Sequence, residues 1–171
     1  MAMLRLLAAL ALALSAAPAL AAPSAPAFTL KFLDGGATFD SRSLIGKKVL
    51  LVRFQASWCK VCVEEAPGIE RTWAKYRPAG VEVVAVQVQD TEADARRFLE
   101  AHGATYPAGL DPHLQIANRF GAKGTPYTIV ISKRGEIVAR LPGRADEGRL
   151  QRAIEPLLKE LPRRKPPARL Q

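Results

Sequence analysis

Apolar residues along this chain come in blocks, and their spacing alternates between the near-continuous runs of buried strands and the three-and-four spacing of helices. Phe28 to Phe32 is short and alternating, Asp34-Gly35-Gly36 is a turn signal, and Ala37 to Phe39 completes a predicted small hairpin. Val49 to Gln55 reads Val-Leu-Leu-Val-Arg-Phe-Gln, which predicts a central strand covered on both faces. After Ala56-Ser57-Trp58-Cys59 a helical stretch reaches Tyr76, with a kink expected at Pro67 because proline removes a backbone hydrogen bond there. Val81 to Val88, bounded by Gly80 and Asp90, predicts a second buried strand. Thr91 caps a helix carrying Ala95, Phe98, Leu99 and His102 that stops at Gly103.

Tyr106 to Leu110 has room only for a short extended piece, and Leu114, Ile116, Ala117 and Phe120 give a short amphipathic helix ending at Gly121. Pro126 to Ser132 and Glu136 to Leu141, joined by Lys133-Arg134-Gly135, predict a hairpin. A last helix puts Leu150, Ile154, Leu157, Leu158 and Leu161 on one face, with Pro156 bending or restarting it. The order is hairpin, strand, helix, strand, helix, helix, hairpin, helix. Parallel strands joined by helices, with an antiparallel hairpin near the end, predict an α/β fold: a central mixed sheet, helices on both faces, and an N-terminal β-hairpin extension.

Length and charge then set limits. The 171 residues suit one domain. The net charge of +9 suggests nucleic acid until it is divided by region. Arg5 lies near the start, and Arg163, Arg164, Lys165 and Arg169 lie in a Pro-rich tail, residues 162–171. Ala27 to Leu161 holds the other twenty basic residues against all sixteen acidic ones, leaving +4. With no basic helix or aromatic-interleaved basic stripe, no nucleic-acid partner is expected.

At the start, Arg5, the apolar run Leu6 to Leu14 and the small-x-small Ala19-Leu20-Ala21 predict a secretory signal over residues 1–22. The alternative is an N-terminal membrane anchor, but the run is shorter than the ~20 residues a spanning helix needs, and Pro18 interrupts it. Residues 23–27 read as a flexible join and 28–161 as the folded domain.

The only two cysteines, Cys59 and Cys62, are spaced C-x-x-C where a buried strand turns into a helix. A structural disulfide over so short a loop removes little chain entropy. A closed zinc site wants a full tetrahedral ligand set, and His102 and His113 lack ligand-pair spacing. Open two-cysteine coordination of Cu(I) is a competing use of soft thiolates.

The redox reading has a cause at each position. At a helix N-terminus, Cys59 meets unpaired N–H groups and the positive end of the dipole, so it is the expected nucleophile. Cys62, nearly one turn later on the same side, is the expected resolving thiol. Lys60 adds positive charge beside Cys59, while Glu64 and Glu65 act the other way. No metal and no cofactor is expected.

From Phe28 to Gly143 the chain resembles the TlpA/ResA branch of the thioredoxin-like family. The likeness rests on Ala56-Ser57-Trp58-Cys59-x-x-Cys62, on Glu65 and Pro67 at C-x-x-E-x-P spacing, and on Gly124-Thr125-Pro126 ahead of a strand. It implies a thioredoxin-like fold, a cis-proline at Pro126 facing the dithiol, and substrate contacts at Trp58 and Thr125, whose backbone would pair with an extended chain. It also implies an acid near the dithiol at Asp90, either a proton relay to Cys62 or a cap on the next helix beside Thr91.

This chain departs from the family at Val61, where proline is common, at Val63, at Gln55 and at Arg53. An arginine on a buried strand needs a partner or a route to solvent, so Arg53 is expected to pair with Asp90 or Glu65, or else to snorkel to the surface.

By resemblance, the expected activity is reduction of disulfides in exported proteins, in cytochrome c maturation or copper-site assembly. A membrane-bound thiol would donate the electrons, and the setting would be the periplasm. The alternatives are a disulfide oxidant, which uses the same atoms at another potential, and a Cu(I) metallochaperone. A peroxidase of related fold would want a Thr-x-x lead into its cysteine, and Ala56-Ser57-Trp58 does not supply it.

Overall fold

The structure, a computed structural model, describes residues 22–159. The basic tail, Leu161 and all but the last residue of the predicted signal lie outside the described residues. Strands β1 (Thr29–Lys31) and β2 (Thr38–Asp40) pair antiparallel with Leu30 opposite Phe39, as the predicted hairpin requires. Next come β3 (Val49–Gln55), α1 (Lys60–Tyr76), β4 (Val81–Val88), α2 (Glu92–Ala101) and β5 (Ala108–Asp111). The chain continues as α3 (Gln115–Phe120), β6 (Tyr127–Ile131), β7 (Ile137–Pro142) and α4 (Glu147–Lys159).

The main sheet has the order β5-β4-β3-β6-β7, with β3, β4 and β5 parallel and β6 and β7 antiparallel to their neighbours. Every residue of central β3 is buried, which is why its sequence shows no polar alternation. Leu50, Val52 and Phe54 pack with Phe28, Leu30 and the Ile116, Ala117 and Phe120 of α3. Val49 and Leu51 join a second core with Ile69, Trp73 and Tyr76 of α1, Ala95 of α2, and Leu150, Ile154 and Leu157 of α4. Helices therefore cover both faces of a mixed sheet.

Three local expectations shift. The extended piece expected over Tyr106 to Leu110 begins at Ala108, because only from there does it align with Ala85 on β4. Of the two outcomes expected at Pro156, a restart does not occur and α4 is continuous, while α1 spans Pro67 and reaches Tyr76 as expected. Both prolines sit on exposed turns, where the carbonyl that loses its partner can meet water. The expected flexible join is instead fastened to the β6–β7 hairpin: Ile137 N–H donates to Pro23 O at 2.8 Å, and Ala25 N–H to Gly135 O at 2.8 Å. These are main-chain bonds, which leave no side-chain pattern to read.

The N-terminal hairpin also reaches the far edge of the sheet. Leu33 N–H donates to Ala108 O at 2.8 Å, and Phe32 bridges Gly109. A Cβ on Gly109 would lie 2.4 Å from Lys31 O and 2.6 Å from Leu30 Cγ. Gly109→Ala is therefore expected to cost about 1–3 kcal/mol through forced separation of hairpin and sheet. Urea denaturation checks it, and an unchanged midpoint would contradict the close packing.

Candidate active site

Strand β3 ends at Gln55, and a short turn brings Cys59 N–H onto Ala56 O at 3.2 Å. Cys59 is then the N-cap of α1: its Sγ accepts from Cys62 N–H at 3.2 Å and its carbonyl from Val63 N–H at 3.1 Å. The sulfur thus sits on the unpaired amides at the positive end of the helix, where a thiolate is stabilised. The two cysteines are joined as a disulfide with Cα atoms 5.2 Å apart. Cys59 is 6% exposed and Cys62 1%, so the N-cap sulfur is the one an incoming group meets first. Beside it, Trp58 is 61% exposed.

The two acids expected to oppose a thiolate are each matched with an arginine. Glu64 pairs with Arg144, whose guanidinium holds the Glu64 carboxyl below the usual carboxylate range. Glu65, buried, pairs with the equally buried Arg53 at 2.8 Å. Of the three outcomes anticipated for Arg53, the structure has pairing with Glu65, and neither Asp90 nor the surface is involved.

Asp90, also buried, is aimed at the turn before the dithiol. Its Oδ2 accepts from Ser57 N–H at 2.8 Å and its Oδ1 from the Ser57 hydroxyl at 2.6 Å. The alternative of Asp90 capping the next helix does not hold, because Thr91 alone caps α2, accepting from Asp94 N–H at 3.1 Å. Ser57 is thus a site residue that pattern reasoning passed over. Its only signal was a small hydroxyl two positions ahead of the cysteine.

The Thr125–Pro126 peptide is cis, and Thr125 lines one groove together with Trp58, the residue before Cys59. Gly143 N–H donates to Pro126 O at 2.9 Å, whereas the N–H and C=O of Thr125 make no main-chain hydrogen bond among the described residues. A groove of about 260 Å³ opens beside this edge, lined by Phe54, Trp58, Val88, Leu114, Lys123 and Thr125 among others. Leu114, in the left-handed region at φ +57°, is held there by Asp111. Leu114 N–H donates to Asp111 O at 3.2 Å, and the Asp111 carboxylate accepts from the N–H groups of Gln115, Ile116 and Ala117. Asp111, through its carbonyl and its carboxylate together, thereby fixes one wall of the groove and the start of α3.

Below the site, Gln55 accepts from the Tyr106 hydroxyl at 3.4 Å, and burial pushes that phenol up to about 12, so it stays a donor. His102 closes α2 with its ring edge-on to Phe98, and His113 lies in the loop before α3.

With this geometry in hand, the likeness to known proteins is specific. The AhpC/TSA family matches residues 22–140. The thiol-disulfide oxidoreductase ResA of Halalkalibacterium halodurans is 32% identical over 128 residues, covering 75% of this chain and 72% of that protein. The thiol:disulfide interchange protein HelX of Rhodobacter capsulatus is 35% identical over 135 residues, covering 78% and 74%. Among solved structures, a putative thiol:disulfide interchange protein DsbE from Chlorobium tepidum superposes with a TM-score of 0.73 at 30% identity, covering 81% of this chain and 97% of that one. An N-capping Cys59 in a C-x-x-C pair and a cis Thr125–Pro126 peptide on a thioredoxin-like sheet agree with all of these, and the chain belongs to the AhpC/TSA family of thioredoxin-like proteins, on the side of its thiol-disulfide oxidoreductases.

Proposed function

We propose that this protein reduces disulfides in exported partner proteins, in the periplasm, after its leader is removed. The observation that carries the reading is Cys59 at the N-cap of α1, and it is supported by a groove that Trp58 shares with Thr125, whose main-chain groups make no main-chain hydrogen bond among the described residues. The Cys59 thiolate attacks one sulfur of the partner's disulfide, forming a mixed disulfide and releasing the first partner thiolate, which takes up a proton. Cys62, deprotonated, then attacks Cys59 Sγ. The Cys59–Cys62 disulfide forms and the partner leaves with its second thiol. A membrane-bound thiol donor returns two electrons and two protons to the pair. Thr125 N–H and C=O bind the partner as an added extended strand, and Trp58 covers the neighbouring side chain. Cytochrome c maturation and copper-site assembly are the settings that the family resemblance implies for such a reductase.

Equilibration of the Cys59–Cys62 pair with glutathione tests the direction. A potential near that of thioredoxin, about −270 mV, is expected. One near the oxidising extreme, about −120 mV, would make the protein an oxidant of folding chains. Stoichiometric Cu(I) binding with insulin disulfides left intact would replace the reductase by a metallochaperone.

Asp90 is assigned the relay of the proton that Cys62 gives up. Its two bonds to Ser57 hold it beside the turn, and Asp90→Asn keeps an acceptor there while removing the titrating group. The expected result is a pH dependence of disulfide reduction that differs from the wild type's. A profile that overlays the wild type would remove Asp90 from the chemistry.

A further inference from the structure

Arg53 is among the largest fully buried side chains of the molecule, and the reaction as described gives it nothing to do. Its contacts are unusual in what they join. Nη2 donates to Glu65 Oε2 at 2.8 Å, on α1 one turn beyond Cys62. Nη1 donates to Thr128 Oγ1 at 2.9 Å, on β6 two residues beyond Pro126. The other oxygen of Glu65 accepts from Ala145 N–H at 2.6 Å, in the segment entering α4. One guanidinium therefore ties the helix that carries the dithiol to the strand that carries the substrate edge.

Stability does not account for this arrangement. Taking an ion pair out of water costs about as much as the attraction returns, and well-packed apolar side chains of the same volume do as well or better. Arg53 Nε moreover finds no partner among the described residues. What an arginine supplies and an apolar residue cannot is geometry: a planar fork that fixes two acceptors at a set angle and separation. Arg53 lies opposite Thr128 in the β3–β6 register, so the fork holds its acceptors across one strand pair and onto the helix above it.

The chemistry gives that separation a use. Disulfide exchange needs the attacking sulfur in line with the sulfur–sulfur bond it breaks. When the disulfide belongs to a polypeptide bound along Thr125, its position is set by β6, while the attacking sulfur is set by α1. A small disulfide that does not use the edge is indifferent to the match.

We propose that Arg53 is a positioning residue for polypeptide substrates: by bridging Glu65 and Thr128 it sets Cys59 in register with the Thr125 edge. The proposal rests on the reading of Thr125 as the edge that binds polypeptide disulfides.

The test compares reduction of insulin with reduction of oxidised glutathione by wild type, Thr128→Val and Thr128→Ser, with folding checked by circular dichroism. Thr128→Val keeps the shape and removes one arm of the fork, and Thr128→Ser retains the hydroxyl. The ratio of insulin to glutathione kcat/KM is expected to fall about tenfold in Thr128→Val, the rate equivalent of one hydrogen bond to a charged group, and to return in Thr128→Ser. An unchanged ratio in Thr128→Val, whether both rates hold or both fall together, overturns the positioning role alone. A wild type that reduces glutathione and not insulin overturns the polypeptide-substrate reading, and this role with it.

Discussion

With Cys62 replaced by serine, turnover is expected to stop after the first exchange and leave the protein covalently joined to its partner through Cys59. The buried, 1% exposed Cys62 is the group placed to attack Cys59 Sγ from within the same helical turn. Water and serine do not break a mixed disulfide, so steady-state reduction should fall at least about a thousandfold. Non-reducing electrophoresis or intact mass would show the adduct. Cys59→Ser, in contrast, should form none, because the remaining sulfur is covered. An adduct through Cys62 in that variant would reverse the assigned roles. Applied to an extract of exported proteins, the Cys62→Ser adducts would also name the partners.

The second large effect is on stability. Arg53→Met leaves Glu65 in a buried site with its cation removed, and a loss of about 3–5 kcal/mol is expected. That is a large share of the about 5–15 kcal/mol that holds such a domain together. Arg53→Met with Glu65→Met removes both charges and leaves side chains of similar volume, so most of the loss should be recovered. Urea midpoints of wild type, single and double variants settle it. If the double variant is as weak as the single, losing the Glu65 acceptor of Ala145 N–H costs as much as the uncompensated charge.

Much of this architecture was legible in the sequence, for reasons that differ by element. Strand β3 announced itself because burial on both faces removes polar alternation. The dithiol was legible because C-x-x-C at a strand-to-helix junction combines a residue pattern with a backbone position. The Arg53–Glu65 pair could be narrowed to a short set of partners because a buried guanidinium tolerates few neighbours. Ser57 and Asp111, by contrast, act through backbone amides and hydroxyls brought together by the fold, and no periodicity marks them. The pairing of Pro23 and Ala25 with the β6–β7 hairpin was hidden for the same reason. At Pro156 the sequence left a bend or a restart open, and an exposed position there lets α4 continue without a restart.

The chain has only two tryptophans, and they fall on opposite sides of the chemistry. Trp58 adjoins the disulfide and the groove in solvent, whereas Trp73 is buried in the second core with its indole N–H on Glu82 at 2.9 Å. A disulfide quenches a neighbouring indole and a dithiol does so less, so emission from Trp58 reports the redox state while Trp73 serves as an internal reference. The protein thereby carries its own optical readout of electron transfer, and Trp73→Phe would isolate that signal without touching the site.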